Sequence, residues 1–326
     1  MNNSLDPFLP NIQRKLGAEA ILSIDKMQSL WSDYGGIFRL SLLGAKFPSV
    51  VVKCITLQEK ENHPRGWAGS LSHQRKLKSY IIEDYWYENY VSSLPDSVKV
   101  PKLIYSEHKP NLQVLVLEDL SLSYPLLKQS CSFKEAKVVI KWLAQFHAHF
   151  ISSSAEGLWS IGSYWHLDTR PDEWKAMEDS LLKEKAKDLD LALRQARYQT
   201  IIHGDAKVAN FCFGKNDTVA AVDFQYVGKG VGVKDVAYFL GSCFTEEECE
   251  LYEGSLLDYY FEQLNQSSEQ LNNQERAALE KEWRALYPLA WADFNRFLLG
   301  WLPNHQKLHS HALAKNEDAL SFLKGF

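Results

Sequence analysis

A run of polar residues set among three short apolar segments constrains the fold of this chain more than any other feature. The polar run is His203-Gly204-Asp205-Ala206-Lys207-Val208-Ala209-Asn210, and Asp223-Phe224-Gln225 follows it. Strand-like segments cover residues 198–202, 210–213 and 218–222, and residues 214–217 have turn composition. The pattern predicts a β-hairpin with its turn centre between Lys215 and Asn216. Antiparallel pairing in that register sets 210 opposite 221 and 208 opposite 223, so Asn210 and Asp223 share one open end.

The side chains at 205, 210 and 223 are of the types that phosphoryl transfer requires. Transfer from ATP needs a carboxylate near the acceptor hydroxyl and oxygen ligands for Mg2+ beside the phosphates. Asp205, Asn210 and Asp223 supply both kinds of group. A structural interpretation is also open, in which Asp205 caps a turn and Asp223 ends a strand. We favour the chemical one because the histidine, the two carboxylates and the amide occur together on the predicted elements.

The separation of Asp205 from Asn210 is that of the kinase catalytic loop, and Asp223 stands where that superfamily begins its D-F-G. With glycine rather than arginine before Asp205, the segment resembles the aminoglycoside phosphotransferase and choline kinase superfamily, including the ecdysteroid kinase-like proteins, which phosphorylate small molecules. The resemblance implies that Asp205 is the catalytic base and that Asn210 and Asp223 bind Mg2+. Gln225, in place of the D-F-G glycine, is ordinary in this branch and argues against a protein-kinase style flip of the segment.

Three more residues take their expected roles from this resemblance. Lys207 lies where protein kinases have a lysine that contacts the transferred phosphate, and a solvated loop lysine is the alternative. Asp235-Val236-Ala237 resembles a segment whose acid anchors the catalytic loop, so we predict a structural role for Asp235. His147, near the end of a helix predicted over 136–150, is expected to be a core or capping histidine.

A β-rich apolar segment at 48–55 contains one lysine, Lys53, which would be costly to bury without a partner. The next helix is predicted over 75–91, where apolar residues recur at helical spacing. Glu83 begins a segment there that resembles the E-x-x-[FW]-Y of the related kinases, so we pair Lys53 with Glu83 and assign Lys53 to the α and β phosphates of ATP. Glu88 is the rival partner, but it lies about 140° from Glu83 around the helix. Alternatively, Lys53 is an edge-strand charge that discourages aggregation.

Two further segments supply candidates for the nucleotide site. Residues 31–40 contain a polar turn with Gly35 and Gly36 where a phosphate-covering loop belongs, although an ordinary hairpin turn explains these glycines equally well. Neither G-x-G-x-x-G nor a Walker motif occurs in the chain. The segment 114–120 resembles the one that joins the two kinase lobes, in which main-chain groups bind adenine, so Glu118 marks an adenine-site candidate. We expect the side chains of Glu118 and Asp119 to be solvated.

The length of the chain agrees with this assignment. With 326 residues, 45% of them hydrophobic, it is long enough for a two-lobed protein with a sizeable core. The resemblance implies an α+β, protein-kinase-like fold with a small β-rich N-lobe over 1–118 and a mainly helical C-lobe over 119–326. A polar stretch at 58–74 is predicted to be a loop, which either closes over nucleotide or is a surface insertion.

Charge and cysteine usage limit the partners and the compartment. The net charge of -5 without a basic stripe disfavours nucleic acid as a partner. Five cysteines without a C-x-x-C pattern give no disulfide framework, which fits a reducing cytoplasm. The N-terminus lacks a basic-then-apolar signal pattern, and no segment approaches the roughly 20 apolar residues that span a bilayer. We therefore expect a soluble cytoplasmic protein, and the sequence does not specify its oligomeric state.

The aromatic segment that is a candidate wall of the acceptor pocket has two interpretations. Aromatic residues from Trp291 to Trp301 follow helical spacing, which is typical of a core stripe, and we favour that interpretation. The alternative is an aromatic pair that acts with Asp293 to bind an amine or a quaternary ammonium. The segment 157–174, which interleaves aromatic and polar residues, is the other candidate wall of the acceptor pocket.

The predicted activity is transfer of the γ-phosphate of ATP, with Mg2+, to a hydroxyl of a small acceptor such as an amino alcohol, a sugar, an antibiotic or a sterol-like alcohol. Two other functions remain under consideration. A metal-dependent hydrolase would use His203 and the nearby acids with His305, His309 and His311, although these three lie in a polar segment and are expected to face solvent. A catalytically silent nucleotide-binding scaffold of kinase fold would need a blocked pocket, because all the expected polar groups are present.

Overall fold

A computed structural model describes residues 4–30, 34–57 and 70–324 of the chain. Most of the loop predicted at 58–74 lies outside these ranges. None of the described helices is long and apolar enough to cross a lipid bilayer.

Two compact units divide the chain. The first unit comprises residues 1–93 and 100–125, and the second comprises 94–99 and 126–326. The elements of the first unit are α1 (Leu9–Leu16), β1 (Ala20–Ser29), β2 (Gly35–Leu43), β3 (Ser49–Thr56), α2 (Ser70–Asn89), β4 (Leu103–Lys109) and β5 (Leu112–Glu118). Its strands form one antiparallel sheet in the order β1-β2-β3-β5-β4.

The central strand β3 sends its side chains alternately to the two faces of this sheet. Val52 and Cys54 belong to the apolar cluster that α1 completes on one face. Ile55 lies on the other face, where it packs with Tyr80 of α2. The alternation therefore directs Lys53 toward α2.

The second unit is mainly helical. Its helices are α3 (Phe133–His149), α4 (Pro171–Ala176), α5 (Leu181–Glu184), α6 (Ala186–Arg194), α7 (Val233–Cys243), α8 (Glu246–Ser267), α9 (Asn273–Trp301) and α10 (Ser310–Leu323). Its strands are β6 (Leu126–Leu127), β7 (Thr200–Ile202), β8 (Phe211–Phe213), β9 (Val219–Ala221) and β10 (Gly228–Gly230). They form a three-stranded sheet in the order β6-β8-β9 and a pair of β10 with β7. The predicted α+β class, with a β-rich N-terminal part and a helical C-terminal part, is confirmed.

The aromatic stripe of α9 belongs to the core of the second unit. Trp291, Phe294 and Phe297 are buried, and the two phenylalanines pack with Trp165 in one cluster. Trp301 at the end of the helix is 36% exposed. The core interpretation is therefore confirmed for the first three aromatic residues.

The β8–β9 hairpin has a register that differs from the predicted one. Residue 210 lies opposite 222, and the Val222 amide donates to the Asn210 carbonyl at 2.9 Å. The predicted pairing of 210 with 221 is wrong by one residue because the connection covers residues 214–218, one residue more than the predicted turn, with left-handed backbone at Asn216 and Asp217. The predicted pairing of 208 with 223 also fails, since residues 208–210 form a short 3-10 helix instead of continuing β8.

Candidate active site

The loop that follows β7 has a backbone that requires glycine at position 204. Gly204 has φ 77°, and a Cβ atom there would lie 2.1 Å from the carbonyl oxygen of Tyr226. Any side chain would collide with the backbone and would also hold an unfavourable left-handed conformation. Gly204 thus permits the turn that presents Asp205.

The carboxylate of Asp235, in the first turn of α7, holds the same loop. Its Oδ2 accepts from the His203 amide at 2.6 Å, and its Oδ1 accepts from the Gly204 amide at 3.0 Å. His147 of α3 contacts Asp235 Oδ2 through Nε2 at 3.1 Å. His147, His203 and Asp235 are fully buried. The structural roles predicted for Asp235 and His147 are confirmed.

Both ring nitrogens of His203 are engaged within the fold. Nδ1 accepts from the Asp205 amide at 3.3 Å, and Nε2 lies 3.0 Å from the Val222 carbonyl oxygen. This pattern assigns a neutral ring that carries its proton on Nε2. His203 therefore joins the loop to the strand end before Asp223. The alternative function of a metal-dependent hydrolase loses its main imidazole ligand, because neither ring nitrogen of His203 is available to a metal.

Asp205 has one engaged and one unengaged oxygen. Its Oδ2 accepts from Asn210 Nδ2 at 3.1 Å and from Lys207 Nζ at 3.2 Å. Its Oδ1 is buried and accepts no hydrogen bond from the described residues. Burial raises the pKa of Asp205, Lys207 lowers it and Asp223 raises it, with a net upward shift. The carboxylate can therefore accept a further hydrogen bond and is more basic than an exposed one.

Asn210 and Asp223 lie beside Asp205 with oxygens suited to a hard cation. Asn210 donates its side-chain nitrogen to the Asp205 carbonyl at 2.8 Å and to its carboxylate, which turns Asn210 Oδ1 the other way. Asp223 has φ 69°, which is uncommon for a residue other than glycine. Gln225 Nε2 donates to Asp223 Oδ1 at 2.8 Å. Carboxylate and amide oxygens are the donors that Mg2+ prefers, so the predicted metal residues form a suitable donor set.

Lys207 lies at the edge of this cluster. Its Nζ is 3.2 Å from Asp205 Oδ2, and its side chain is 39% exposed. Burial lowers the pKa of Lys207, but Asp205 and Asp223 raise it more, so the net shift is upward. The lysine keeps its charge and is reachable from solvent.

The ion pair predicted between Lys53 and Glu83 is present in the first unit. Lys53 Nζ lies 2.5 Å from Glu83 Oε2, and both side chains are buried. Glu88, the rival, instead accepts from Ser106 Oγ at 2.9 Å. The edge-strand interpretation of Lys53 is wrong, because β3 lies between β2 and β5 in the sheet.

Gly35 and Gly36 begin β2. Gly35 has φ 132°, and a Cβ atom there would lie 2.0 Å from the Cys54 carbonyl oxygen. Glycine at 35 therefore allows β2 to approach β3 closely. Residues 31–33 of the predicted phosphate-covering turn lie outside the described residues.

The end of β5 carries two acids with different surroundings. Glu118 is half-buried, and its carboxylate accepts from the Lys102 amide at 3.2 Å. Asp119 is 7% exposed, and its Oδ2 accepts from Arg39 at 2.9 Å and from Ser49 at 2.7 Å. The expectation that Asp119 is solvated is wrong, because β2 and the start of β3 bring these partners to it.

Comparisons with known proteins identify the fold. The sequence model of the ecdysteroid kinase-like family matches residues 160–273, a range that contains Asp205, Asn210 and Asp223. The solved structure of amicoumacin kinase hAmiN in complex with AMP-PNP, Ca2+ and Ami is similar to this chain with a TM-score of 0.57 and 12% identity, over 99% of this chain and 94% of that one. This chain has the fold of the aminoglycoside phosphotransferase and choline kinase superfamily.

Two more solved structures support this superfamily fold. Choline kinase from Cryptosporidium parvum Iowa II matches with a TM-score of 0.53 and 14% identity, over 98% of this chain and 96% of that one. A thermostable mutant of aminoglycoside phosphotransferase APH(4)-Ia, in a ternary complex with ADP and hygromycin B, matches with a TM-score of 0.52 and 10% identity, over 97% of each chain. A search of curated proteins finds no match. The resemblance predicted from the His203–Asp223 segment is confirmed.

The three late histidines of this kinase-fold chain serve local structure. His305 Nδ1 accepts a hydrogen bond from the Lys307 amide at 3.1 Å, and His309 caps the start of α10. His311 Nε2 lies 3.1 Å from Glu253 Oε2, and its side chain is only 14% exposed, so the expectation that it faces solvent is wrong. Among residues 4–30, 34–57 and 70–324, no group of three or more His, Cys, Asp or Glu side chains is arranged to hold a metal.

Asp293, the alternative amine ligand, is used within the core of this kinase-fold chain. Its Oδ1 accepts from Arg296 at 2.8 Å. Its Oδ2 accepts from Trp165 Nε1 at 2.9 Å and lies 3.0 Å from Lys234 Nζ. The residue is 1% exposed. Asp293 therefore acts as a core group and offers no free oxygen to an acceptor.

Sequence analysis missed two groups that lie near Asp205. They are the side chains of Tyr238 and Lys307. The Tyr238 hydroxyl lies 3.1 Å from the Tyr164 hydroxyl. Burial raises the pKa of both phenols, and the Asp205 charge raises both further. Lys307 Nζ lies 5.0 Å from the centre of the Tyr238 ring. Tyr238 and Lys307 come from two separate segments of the second unit, α7 and the connection between α9 and α10, so no local sequence pattern indicated them.

Proposed function

We propose that this chain is a small-molecule kinase that transfers the γ-phosphate of ATP to a hydroxyl group of a small acceptor. The observation that carries this proposal is the grouping of Asp205, Asn210 and Asp223, in which Asp205 Oδ1 accepts no hydrogen bond from the described residues. A catalytic base needs an oxygen that is free to receive a proton, and Asp205 has one.

Asp205 acts as the general base in this proposal. The acceptor hydroxyl donates its hydrogen bond to Oδ1 and loses its proton to Asp205 as its oxygen bonds to the γ-phosphorus. The bond from that phosphorus to the bridging oxygen breaks, and ADP leaves with the electron pair. The raised pKa of Asp205 favours proton uptake from an alcohol. Asp235 and Gly204 orient the carboxylate through the backbone of the loop.

Asn210 and Asp223 are the proposed ligands for Mg2+. Asn210 holds its amide nitrogen against Asp205, which leaves Oδ1 as the donor for a metal. Bound Mg2+ would supply positive charge that offsets the charge of the phosphate oxygens. Two protein side chains suffice, since Mg2+ takes its other ligands from phosphates and water. Lys207, charged and partly exposed, is assigned to the transferred phosphate.

The first unit supplies the proposed nucleotide contacts. Lys53, oriented by Glu83, is assigned to the α and β phosphates of ATP. Main-chain groups near Glu118 are assigned to the adenine, and the segment that leads into Gly35 and Gly36 to the phosphates. We also place the activity in the cytoplasm, because all five cysteines are buried and unpaired, as thiols remain in a reducing compartment.

Calorimetric titration of ATP with and without Mg2+ tests the proposal before the acceptor is known. The wild type is expected to bind ATP in a magnesium-dependent way, and Asp223→Ala to lose that dependence. Asp318→Ala, which removes an exposed aspartate of α10, is the matched control and should behave as the wild type. Absence of ATP binding in the wild type would contradict the kinase proposal. Magnesium-dependent binding without transfer to any alcohol would instead favour a silent scaffold.

A further inference from the structure

The connection between α9 and α10 carries a half-buried lysine, Lys307, whose surroundings differ from those of the buried lysines. Lys307 Nζ lies 5.0 Å from the centre of the Tyr238 ring and 5.7 Å from that of Phe294. The turn is held by its own hydrogen bonds, including one from the Lys307 amide to His305 Nδ1 at 3.1 Å. Leu308, the next residue, packs against the cluster that contains Tyr238. The backbone therefore fixes where Lys307 projects.

Lys307 lacks the counter-ion that the buried lysines Lys53 and Lys234 each have. Lys53 lies 2.5 Å from Glu83 and Lys234 lies 3.0 Å from Asp293. Within the part of the chain that the structure describes, no carboxylate forms a salt bridge with Lys307. Burial lowers the pKa of Lys307 to about 8, Asp205 raises it and Lys207 lowers it. A partly desolvated ammonium beside aromatic rings is poised to bind an anion.

The position of Lys307 connects it with the unengaged oxygen of the base. Asp205 is 6% exposed, and its Oδ1 accepts no hydrogen bond from the described residues. The Tyr238 hydroxyl interacts with the Asp205 carboxylate, and Lys307 Nζ lies 5.0 Å from the centre of the Tyr238 ring. An acceptor whose hydroxyl meets Oδ1 would therefore lie near the Tyr238 ring and the Lys307 ammonium.

The charges in this region disfavour a cationic acceptor. Lys207 and Lys307 are both positive and both act on Asp205. The other buried acids of the second unit are paired within the fold: Asp293 with Lys234, Asp235 with the loop amides, Glu173 with Arg170, Asp190 with Arg194 and Glu253 with Lys315. An ammonium on the acceptor would meet two like charges, and Asp205 Oδ1, which accepts no hydrogen bond from the described residues, is already assigned to the acceptor hydroxyl.

We propose that Lys307 binds an anionic group of the acceptor, so that the substrate is an alcohol that also carries a carboxylate or a comparable anion next to an apolar or aromatic body. The body packs on the rings of Tyr238 and Phe294, the anion pairs with Lys307, and the hydroxyl reaches Asp205. The transfer step rests on the kinase function proposed above, whereas the binding of an anion by Lys307 does not.

A matched series of benzyl alcohols tests this inference. The series is 4-(hydroxymethyl)benzoate, 4-(hydroxymethyl)benzamide and 4-(aminomethyl)benzyl alcohol, which share a ring and a primary hydroxyl and differ in charge. Each is titrated calorimetrically into the protein without nucleotide. The benzoate is expected to bind about 10- to 100-fold more tightly than the amide, and the amine most weakly. Lys307→Met should erase this preference, and Lys141→Met, which removes an exposed lysine of α3, should keep it.

Several results would overturn the inference. They are equal binding of the three compounds, no binding of the benzoate at millimolar concentration, or a preference that survives in Lys307→Met. A loss of ATP affinity in Lys307→Met without a change in benzoate affinity would also overturn it, because Lys307 would then contact nucleotide. Since the titrations of the benzyl alcohols omit ATP, their failure is distinguishable from failure of magnesium-dependent ATP binding in the wild type.

Discussion

Two buried carboxylates of the second unit, Asp293 and Asp205, show how differently one residue type is used in the same fold. Both are shielded from solvent, at 1% and 6% exposure. Burial raises the pKa of Asp293, but Lys234 and Arg296 lower it more and hold it below its usual range. The pKa of Asp205 is shifted upward, and one of its oxygens accepts no hydrogen bond from the described residues.

The difference separates a group that stabilises the fold from the group that we propose as the catalytic base. Asp293 has cationic partners on both oxygens and is satisfied in the resting protein. Asp205 has a partly exposed lysine on one oxygen only. A buried carboxylate without full compensation reduces stability. Fold stability alone does not explain the environment of Asp205, whereas it explains that of Asp293.

Asp205→Asn is the strongest test of the comparison. The amide keeps the shape of the side chain but cannot accept a proton, so turnover should fall by about 10²- to 10⁴-fold. The free energy of unfolding should change by less than about 1 kcal/mol, because the removed charge is only partly compensated. Rates of ADP formation with the best acceptor of the benzyl alcohol series and urea unfolding measure the two quantities. Full turnover in this variant would remove Asp205 from the mechanism.

Asp293→Asn should have the opposite profile. The substitution leaves Lys234 and Arg296 buried without their counter-charge, so we expect a loss of about 3 to 5 kcal/mol in the free energy of unfolding. Urea unfolding of Asp293→Asn beside Asp318→Asn, a surface control, measures this loss. If Asp293→Asn were as stable as the control, its carboxylate would not be the structural group described here.

His166 gives the Asp293 region a predictable pH dependence. Its Nε2 lies 3.6 Å from Asp190 Oδ1. Burial lowers the pKa of His166 to about 4, and Lys234 lowers it as well. The unfolded chain therefore binds a proton on this ring at a higher pH than the folded chain, so stability is lost as pH falls from about 6.5 toward 4. We expect a loss of about 2 kcal/mol between pH 7 and pH 5.

The difference between the wild type and His166→Asn isolates this contribution from that of other titrating groups. Urea unfolding of both proteins across the same pH range should give a steeper dependence for the wild type. Parallel curves would show that His166 is already protonated, or equally accessible, in the folded state.

Gly204→Ala should reduce stability by less than Asp293→Asn does, because the affected loop is short. The methyl group meets the Tyr226 carbonyl and forces a left-handed alanine, which costs about 1 to 3 kcal/mol. Gly254→Ala is the matched control, because nothing lies within 4 Å of its Cβ position and alanine favours the interior of α8. In thermal unfolding, the midpoint temperature of Gly204→Ala should lie below that of the wild type, and the midpoint temperature of Gly254→Ala above it. A Gly204→Ala protein as stable as the wild type would show that the loop has another accessible conformation.

The sequence predicts that Asp205, Asn210 and Asp223 lie together because they are close along the chain. Asp205 and Asn210 are joined by one short loop, and Asp223 returns through a single hairpin, so spacing and turn composition were enough to group them, while their roles stay a prediction. The register of that hairpin was wrong because the left-handed conformations of Asn216 and Asp217 cannot be read from composition. Lys53 and Glu83 were paired correctly because a lysine inside an apolar strand needs a partner and the resemblance to the related kinases favoured Glu83 over Glu88.

Non-local contacts explain what the sequence did not predict. Asp119 was expected in solvent, but its partners Arg39 and Ser49 come from other strands of the sheet. Lys307 reaches the Tyr238 ring only because α9 and the turn after it fold back onto α7. Neither position carries a periodic or motif signal, so packing alone assigns their environments.

The contact of Asp235 with the loop amides has a consequence for how such a protein changes its substrate. The proposed base, Asp205, is positioned by a side chain of α7, which His147 of α3 supports in turn. The proposed acceptor contact lies on the turn between α9 and α10. If both proposals hold, substitutions at that turn would alter which alcohol is bound without moving Asp205, so the two properties could diverge independently.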